Sequence, residues 1–213
     1  MKTTLLRAPM VLMTLAVVTS CATPSTEPQL TTTSQPAKYM PRADYSCDAD
    51  APTGRVFALE RSDEHPFDVQ VPELRGWVRN EVPGARTGGL SLWRRDQLPN
   101  DFRSPAAMIT VTISSRQLSE AEALESMRRA RHAMPDWQSH VDEQLAACGR
   151  SSRHVVGTFT SSSEEWWEDR RLVVCVCGGA VHTIHLAGRA KMTDLDRFGP
   201  DLISVLNGLQ ILV

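Results

Sequence analysis

Three strand-like stretches separated by very short connections constrain the fold of this chain more than any other feature. The stretches are Arg153–Thr160, Glu165–Cys177 and Ala180–Gly188. The polar residues 161–164 separate the first two, and Gly178-Gly179 separates the last two. Connections this short only reverse the chain direction, so the pattern predicts three antiparallel strands. Leu172–Cys177 is continuously apolar, which predicts a strand covered on both faces.

The remaining patterns predict further strands and two helices. Apolar and polar residues alternate in Phe67–Val71, Leu90–Arg94 and Met108–Ser115, as in strands with one solvated face. A helix is expected over Leu118–Met134, where Ser119 and Glu122 match a capping box. A second helix is expected over Asp194–Leu206. The sum is an α+β domain, an antiparallel sheet flanked by two helices.

The N-terminus resembles the export signal of a bacterial lipoprotein. Lys2 and Arg7 precede a short apolar run, which ends in the sequence Leu15-Ala16-Val17-Val18-Thr19-Ser20-Cys21. Small residues directly before a cysteine are typical of the site where a signal is cleaved and the cysteine is lipidated. We therefore predict a signal peptide over residues 1–20 and a diacylglyceryl anchor on Cys21. A conventional cleaved signal is the alternative.

The composition changes twice along the chain, which predicts its domain organisation. Residues 21–50 are rich in Ser, Thr and Pro, and such segments cannot bury a core, so we expect a disordered tether. Residues 51–213 suit a single domain. The net charge of −2 argues against a nucleic-acid partner.

Four cysteines remain once Cys21 is assigned to lipidation, and an exported domain favours their pairing. Counting back from the loop at residues 161–164 places Cys148 opposite Cys177, with Cys175 as a second possible partner. Cys47 could pair with the cysteine left over or stay free. Connectivity cannot be deduced from sequence, so three pairings remain open.

A metal site is the alternative use of this region. Cys175, Cys177 and His182 share one predicted face, while His185 points to the other. Zinc favours four Cys or His ligands, and the spacing matches no zinc motif. We therefore predict neither a metal nor another cofactor.

Adjacent tryptophans provide a candidate contact surface. Trp166 and Trp167 should point to opposite faces of their strand, one into the core and one to or near the surface beside Arg170. The alternative is that helices and loops shield both. The acidic pairs Glu164-Glu165 and Glu168-Asp169 are expected to be solvated.

Several of these segments together resemble the mycobacterial LpqN/LpqT lipoprotein family. The likeness covers residues 65–213 and is a pattern of apolar and turn positions. The chain departs from the family in its extra cysteines and in a longer run before Phe67. The matching segments are residues 67–72 with Gly76-Trp77, residues 104–106 before the Met108–Ser115 strand, Ala121–Leu124, and Val156–Phe159 before Trp166–Cys177.

The resemblance implies a PsbP-like α/β sandwich and an envelope lipoprotein, and it supplies no catalytic residues. We therefore expect a non-catalytic protein on the outer face of the plasma membrane, accessory to envelope lipid handling. It would bind an apolar ligand or a membrane-protein partner between the sheet and the helices, lined by Ser119–Met134 and the strand bearing Trp166. A hydrolase acting on envelope lipids and a purely structural adaptor are the alternatives. No Gly-x-Ser-x-Gly motif supports the hydrolase, and the oligomeric state is left open.

Overall fold

The computed structural model describes residues 54–80, 89–94, 105–116 and 118–213. The predicted signal peptide and tether, with Cys21 and Cys47, lie outside the described residues. Their boundaries therefore stay predictions.

Most of the described chain forms strands, which belong to two antiparallel sheets. The elements are β1 (Val56–Leu59), β2 (Asp68–Pro72), β3 (Trp77–Arg79), β4 (Gly89–Arg94), β5 (Ala107–Arg116), α1 (Glu120–His132), β6 (Gln138–Ala147), β7 (Arg150–Ser161), β8 (Glu164–Cys177), β9 (Ala180–Lys191), a 3-10 turn (Met192–Asp194), α2 (Leu195–Asn207) and β10 (Gln210–Leu212). Seven strands form the large sheet in the order β3-β4-β5-β9-β8-β7-β6, and three form a small sheet in the order β1-β2-β10.

The predicted meander is present and forms the middle of the large sheet. Ser161 pairs with Glu164, and Thr160 pairs with Glu165. Ser162 and Ser163 have φ of 52° and 64°, and Gly178 and Gly179 have φ of 59° and 79°. Two consecutive residues with positive φ give a type I′ turn, whose twist matches that of the flanking strands.

Each face of the large sheet has its own hydrophobic cluster. On one face, β8 residues such as Trp167 and Val173 pack in the main core with α2 and the small sheet. On the other face, Leu172 and Val174 pack under α1. We call these the α2 face and the α1 face. Alternation along β8 assigns consecutive residues to opposite faces, so the continuously apolar stretch is covered on both sides as predicted, except for exposed Val176.

Both helices begin and end close to the predicted positions. Ser119 caps α1, and the reciprocal Ser119–Glu122 capping box is present. α2 lies against β9 at Gly188, where an added Cβ would be 3.2 Å from Leu206 Cδ1. Within the described residues, neither helix is long and apolar enough to cross a membrane.

The sheets are more extensive than the sequence predicts. The prediction lacks β1, β3, β6 and β10, so only β2 of the small sheet was expected. β6 is apolar at few positions and largely exposed or half-buried, so it carries no clear period-two pattern. The fold is thus α+β with two helices as predicted, but it is dominated by two sheets rather than one.

Candidate ligand-binding cleft under helix α1

A cleft of about 190 Å³ lies between α1 and the α1 face of the large sheet. Helix α1 forms one wall, while β8 and β9 form the floor. Within the part of the chain that the structure describes, the cleft is lined by Leu118, Ala123, Ser126, Met127, Ala130, Arg131, Arg170, Thr183 and His185.

Helical spacing explains the apolar wall of this cleft. Ala123, Met127 and Ala130 recur three or four residues apart, so they share one side of α1. Ala123 and Met127 are buried, whereas Ala130 is exposed at the rim of the cleft. The α1 wall therefore offers an apolar contact surface that ends at an accessible rim.

A cationic cluster borders the cleft on the side of the sheet. The carboxylate of Glu168 is fully buried and contacts three guanidinium groups. Arg131 donates to Glu168 Oε1 at 2.9 Å, Arg170 donates to the same oxygen at 3.1 Å, and Arg189 donates to Oε2. One negative charge therefore faces three positive charges.

The surroundings of Arg131 show this excess of positive over negative charge. Its side chain is only 13% exposed, and its Nε has no hydrogen-bond partner among the described residues. Burial lowers the pKa of Arg131, Glu168 acts in the opposite direction, and Arg170 and Arg189 lower it further. Burial would raise the pKa of Glu168, but the three arginines outweigh burial and lower it. Glu168 therefore stays ionised while the arginines lack counter-charge.

Of the predicted contact residues, Arg170 lies at the cleft and the two tryptophans do not. Trp166 and Trp167 do point to opposite faces, but Trp167 is fully buried and Trp166 is only 9% exposed. The Lys191 ammonium lies 5.8 Å from the Trp166 ring centroid. The prediction of an exposed tryptophan is therefore wrong, because neighbouring long side chains cover the strand.

The acidic residues Glu168 and Asp169 also contradict the sequence prediction, since both are fully buried. Asp169 lies on the α2 face, where its Oδ1 is 3.0 Å from His154 Nε2. His154 Nδ1 is 3.2 Å from Glu143 Oε1. Burial opposes the charged form of His154, but Asp169 and Glu143 outweigh burial and raise its pKa. The result is a charged network that links β6, β7 and β8 on the α2 face.

Arg171 extends this network to the C-terminus of α2. Its Nη1 donates to the Leu206 carbonyl oxygen at 2.6 Å, and its Nη2 donates to Asn207 Oδ1 at 3.1 Å. Carbonyl groups in the last helical turn lack intrahelical partners, so a buried guanidinium there satisfies orphan acceptors. Arg171 Nη2 lies 3.5 Å from Asp169 Oδ2. This arrangement ties helix α2 to the sheet and is structural.

The predicted disulfide from Cys148 to Cys177 or Cys175 is wrong. Cys175 and Cys177 are free thiols, whereas Cys148 is disulfide-bonded. The chain reverses at residues 148 and 149, so β7 begins only at Arg150. Counting residue pairs back along β7 therefore continues past its first residue, so the predicted pairing of Cys148 with Cys177 does not hold. The predicted role of Cys47 lies outside the described residues.

A serine–histidine pair is present, but it lacks the third member of a hydrolase triad. Ser115 Oγ is 2.8 Å from His182 Nδ1 and also donates to the Glu64 carbonyl oxygen at 2.9 Å. A hydroxyl has one proton, so that second bond leaves His182 Nδ1 as the donor rather than the base. Among the described residues, no carboxylate is hydrogen-bonded to His182 to orient it.

The cysteine and histidine cluster considered for zinc does not converge. Within residues 54–80, 89–94, 105–116 and 118–213, no three His, Cys, Asp or Glu side chains group as metal ligands. His182 Nδ1 is instead hydrogen-bonded to Ser115. His185 lies on the α1 face, where it lines the cleft.

A second depression, of about 570 Å³, lies beside β3. Its lining residues Arg55 and Glu73 form an ion pair, and Arg55 is 87% exposed. Leu74 and Trp77 supply its apolar side chains, and Trp77 is almost completely buried. This depression is larger than the α1 cleft but is bordered by exposed, paired charges.

Comparison with solved structures confirms the resemblance at the level of the fold. The structure of LpqN from Mycobacterium tuberculosis, described as involved in cell envelope biogenesis, superposes with a TM-score of 0.57 at 18% identity, covering 75% of this chain and 93% of that one. The cyanobacterial PsbP from Synechocystis gives a TM-score of 0.45 at 13% identity, covering 75% and 95%. No family model and no curated protein matches the chain.

Proposed function

We propose that this protein is a non-catalytic, lipid-anchored envelope protein whose domain binds an amphipathic anion in the cleft under α1. The observation that carries this proposal is the single buried carboxylate of Glu168 surrounded by three guanidinium groups. The occupant would have an apolar chain and a carboxylate or phosphate head.

The charge balance supports an anionic head group. Buried charges are normally paired, because an unpaired buried charge is costly. Arg131 and Arg170 line the cleft and share the one carboxylate with Arg189. Arginine guanidinium groups bind carboxylates and phosphates through paired hydrogen bonds. An anion at the cleft would supply the missing counter-charge and an acceptor for Arg131 Nε.

The opposite wall supports an apolar chain on the same ligand. Leu118, Ala123, Met127 and Ala130 contribute aliphatic surface within the same cleft. Its volume of about 190 Å³ lies below the range of about 300–1,000 Å³ typical of small-molecule sites. The cleft therefore suits a head group with the first part of a chain, while the rest of the chain leaves past the exposed rim.

The location of the protein is part of the proposal. Lipidation of Cys21 would hold the domain at the outer face of the plasma membrane through two acyl chains, which suffice for stable anchoring. The fold is shared with LpqN, a protein described as involved in cell envelope biogenesis. Both points favour a role in envelope lipid handling.

Calorimetric titration of the protein with decanoate, decyl phosphate and decanol tests the proposal. We expect the two anions to bind and decanol to bind much more weakly. Hydrogen bonds to charged groups contribute about 1.5–3 kcal/mol, so Arg170→Gln should weaken decanoate binding about 10- to 100-fold. Arg128→Gln is the matched control. Arg128 belongs to helix α1 and pairs with Glu125, but it does not line the cleft.

A blocking variant separates binding in the cleft from adsorption elsewhere. Ala130→Trp places a large side chain at the rim of the cleft and should abolish binding of both anions. Ala121→Trp makes the same change at an exposed position of α1 that does not line the cleft. Equal binding of decanoate and decanol, or unchanged binding to Ala130→Trp, would refute the proposal.

A further inference from the structure

We infer that Cys175 and Cys177 form a thiol–disulfide exchange site that closes reversibly into a disulfide within strand β8. The two Sγ atoms are 2.9 Å apart, and both thiols are free. This site is separate from the α1 cleft and does not depend on its function.

The pleat of the strand brings the two thiols together. Residues i and i+2 of a strand lie on the same face, so Cys175 and Cys177 point to the α2 side while Val176 between them is 60% exposed on the other. The 2.9 Å separation is already shorter than an ordinary sulfur–sulfur contact. A strand rises about 3.4 Å per residue, so the two Cα atoms lie near the upper limit that disulfides span, and closure to about 2.05 Å needs the end of β8 to bend as well as the side chains to rotate.

Unequal accessibility gives the two thiols different roles. Cys175 is 1% exposed, whereas Cys177 is half-buried at the end of the strand beside the exposed residues Gly178 and Gly179. An external disulfide can therefore reach Cys177 but not Cys175. Cys177 is the thiol that reacts first, and Cys175 is the resolving thiol.

The guanidinium of Arg150 lies directly beside the buried thiol of Cys175. Its Nε donates to Cys175 Sγ at 3.4 Å, and its Nη1 donates to the Cys148 carbonyl oxygen at 2.9 Å, which fixes the guanidinium in place. Burial and the neighbouring Cys175 thiol raise the pKa of Cys177, while Arg150 acts in the opposite direction, so we expect the exchange to be faster above neutral pH.

The exchange needs an oxidised disulfide as co-reactant, for which glutathione disulfide serves as the probe. The Cys177 thiolate attacks one sulfur of glutathione disulfide, giving a mixed disulfide and one glutathione thiolate. The Cys175 thiolate then attacks the Cys177 sulfur and releases the second glutathione thiolate. Two protein protons end on two glutathione molecules, so the protein is oxidised by two electrons and the glutathione is reduced by two.

The sequence offers a direct readout of this chemistry. Cleavage after Arg171 and Arg189 by trypsin releases residues 172–189, a peptide with no other cysteine. Full-length protein is treated with glutathione disulfide, alkylated with iodoacetamide and digested without reduction. We expect this peptide to lose two hydrogen atoms and to take up no alkyl group until a reductant is added.

Two variants distinguish the roles of the thiols. Cys175→Ser should trap one glutathione on Cys177, because no resolving thiol remains. Cys177→Ser should leave Cys175 unmodified in the folded protein, because it is buried. Alkylation of both cysteines after oxidant treatment, or a crosslink from peptide 172–189 to the peptide bearing Cys148, would overturn the inference.

Discussion

Glu168 and Asp169 are neighbours in strand β8, yet their two buried carboxylates lie on opposite faces of the same sheet and in opposite kinds of surroundings. Asp169 faces α2, where it contacts His154 and Arg171 within a closed core. Glu168 faces α1, where three arginines share it beside an accessible cleft. Burial of a charge therefore does not by itself indicate a function. The balance of charge around it and the presence of adjoining space distinguish a structural network from a binding site.

The largest expected effect belongs to the α2 face. Arg171→Ala should lower the free energy of unfolding by about 3–5 kcal/mol, because removal of one partner leaves the other charges of a buried network uncompensated. It also removes two donors from the C-terminus of α2. Urea denaturation measures the change. A loss as small as the value of about 0.2–1 kcal/mol typical of exposed ion pairs would contradict the distinction between the faces.

Glu168→Gln should separate stability from binding on the α1 face. The change removes the one buried negative charge shared by three arginines, so we expect the free energy of unfolding to fall by about 2–3 kcal/mol. The same change increases the local positive charge, so decanoate should bind several-fold more tightly. Denaturation and calorimetry on one sample check both effects, and weaker decanoate binding would contradict the proposed role of the arginines.

The two faces should also respond to pH in opposite directions. The raised pKa of His154 means that its contribution is complete below its unfolded pKa, near 6.5, and is lost as pH rises through the folded pKa. The lowered pKa of Glu168 gives a contribution that is present above its unfolded pKa and lost as pH falls through the folded pKa. Unfolding measured across pH should show both. His154→Gln should remove the loss on the alkaline side alone.

The smallest expected effect is at the surface of α1. Arg128 and Glu125 form an exposed ion pair with an N–O distance of 2.6 Å. Arg128→Ala should lower the free energy of unfolding by only about 0.3–0.5 kcal/mol, as is usual for such pairs on helices. A loss of several kcal/mol would show that α1 depends on this pair and would weaken the use of Arg128→Gln as a control.

Local turn chemistry made the central part of the fold predictable from sequence. The pairing of Thr160 with Glu165 and of Cys175 with His182 follows once the two short turns are placed. The capping box of α1 is likewise a local signal, since Ser119 and Glu122 are one turn apart. The small sheet was missed because β1 and β10 are short, and because β10 pairs with β2 from the far end of the chain.

The candidate site was predictable only in outline. A groove between α1 and the strand bearing Trp166 and Trp167 was expected, and the cleft lies between these elements but is lined by Arg170 rather than by the tryptophans. The burial of Glu168 was not expected, because it depends on Arg131 and Arg189, which are distant in sequence. The reverse turn that begins at Cys148 was also missed, so the predicted disulfide from Cys148 to Cys177 or Cys175 was wrong.

Mass spectrometry of lipid that co-purifies with the protein tests the central claim most directly. After gentle extraction from native membranes, the account predicts an anionic amphiphile at a near-stoichiometric ratio with the wild type and with Ala121→Trp, and its loss from Ala130→Trp. An empty wild-type protein, or the same amount of lipid in all three, would contradict the assignment of the α1 cleft as a binding site.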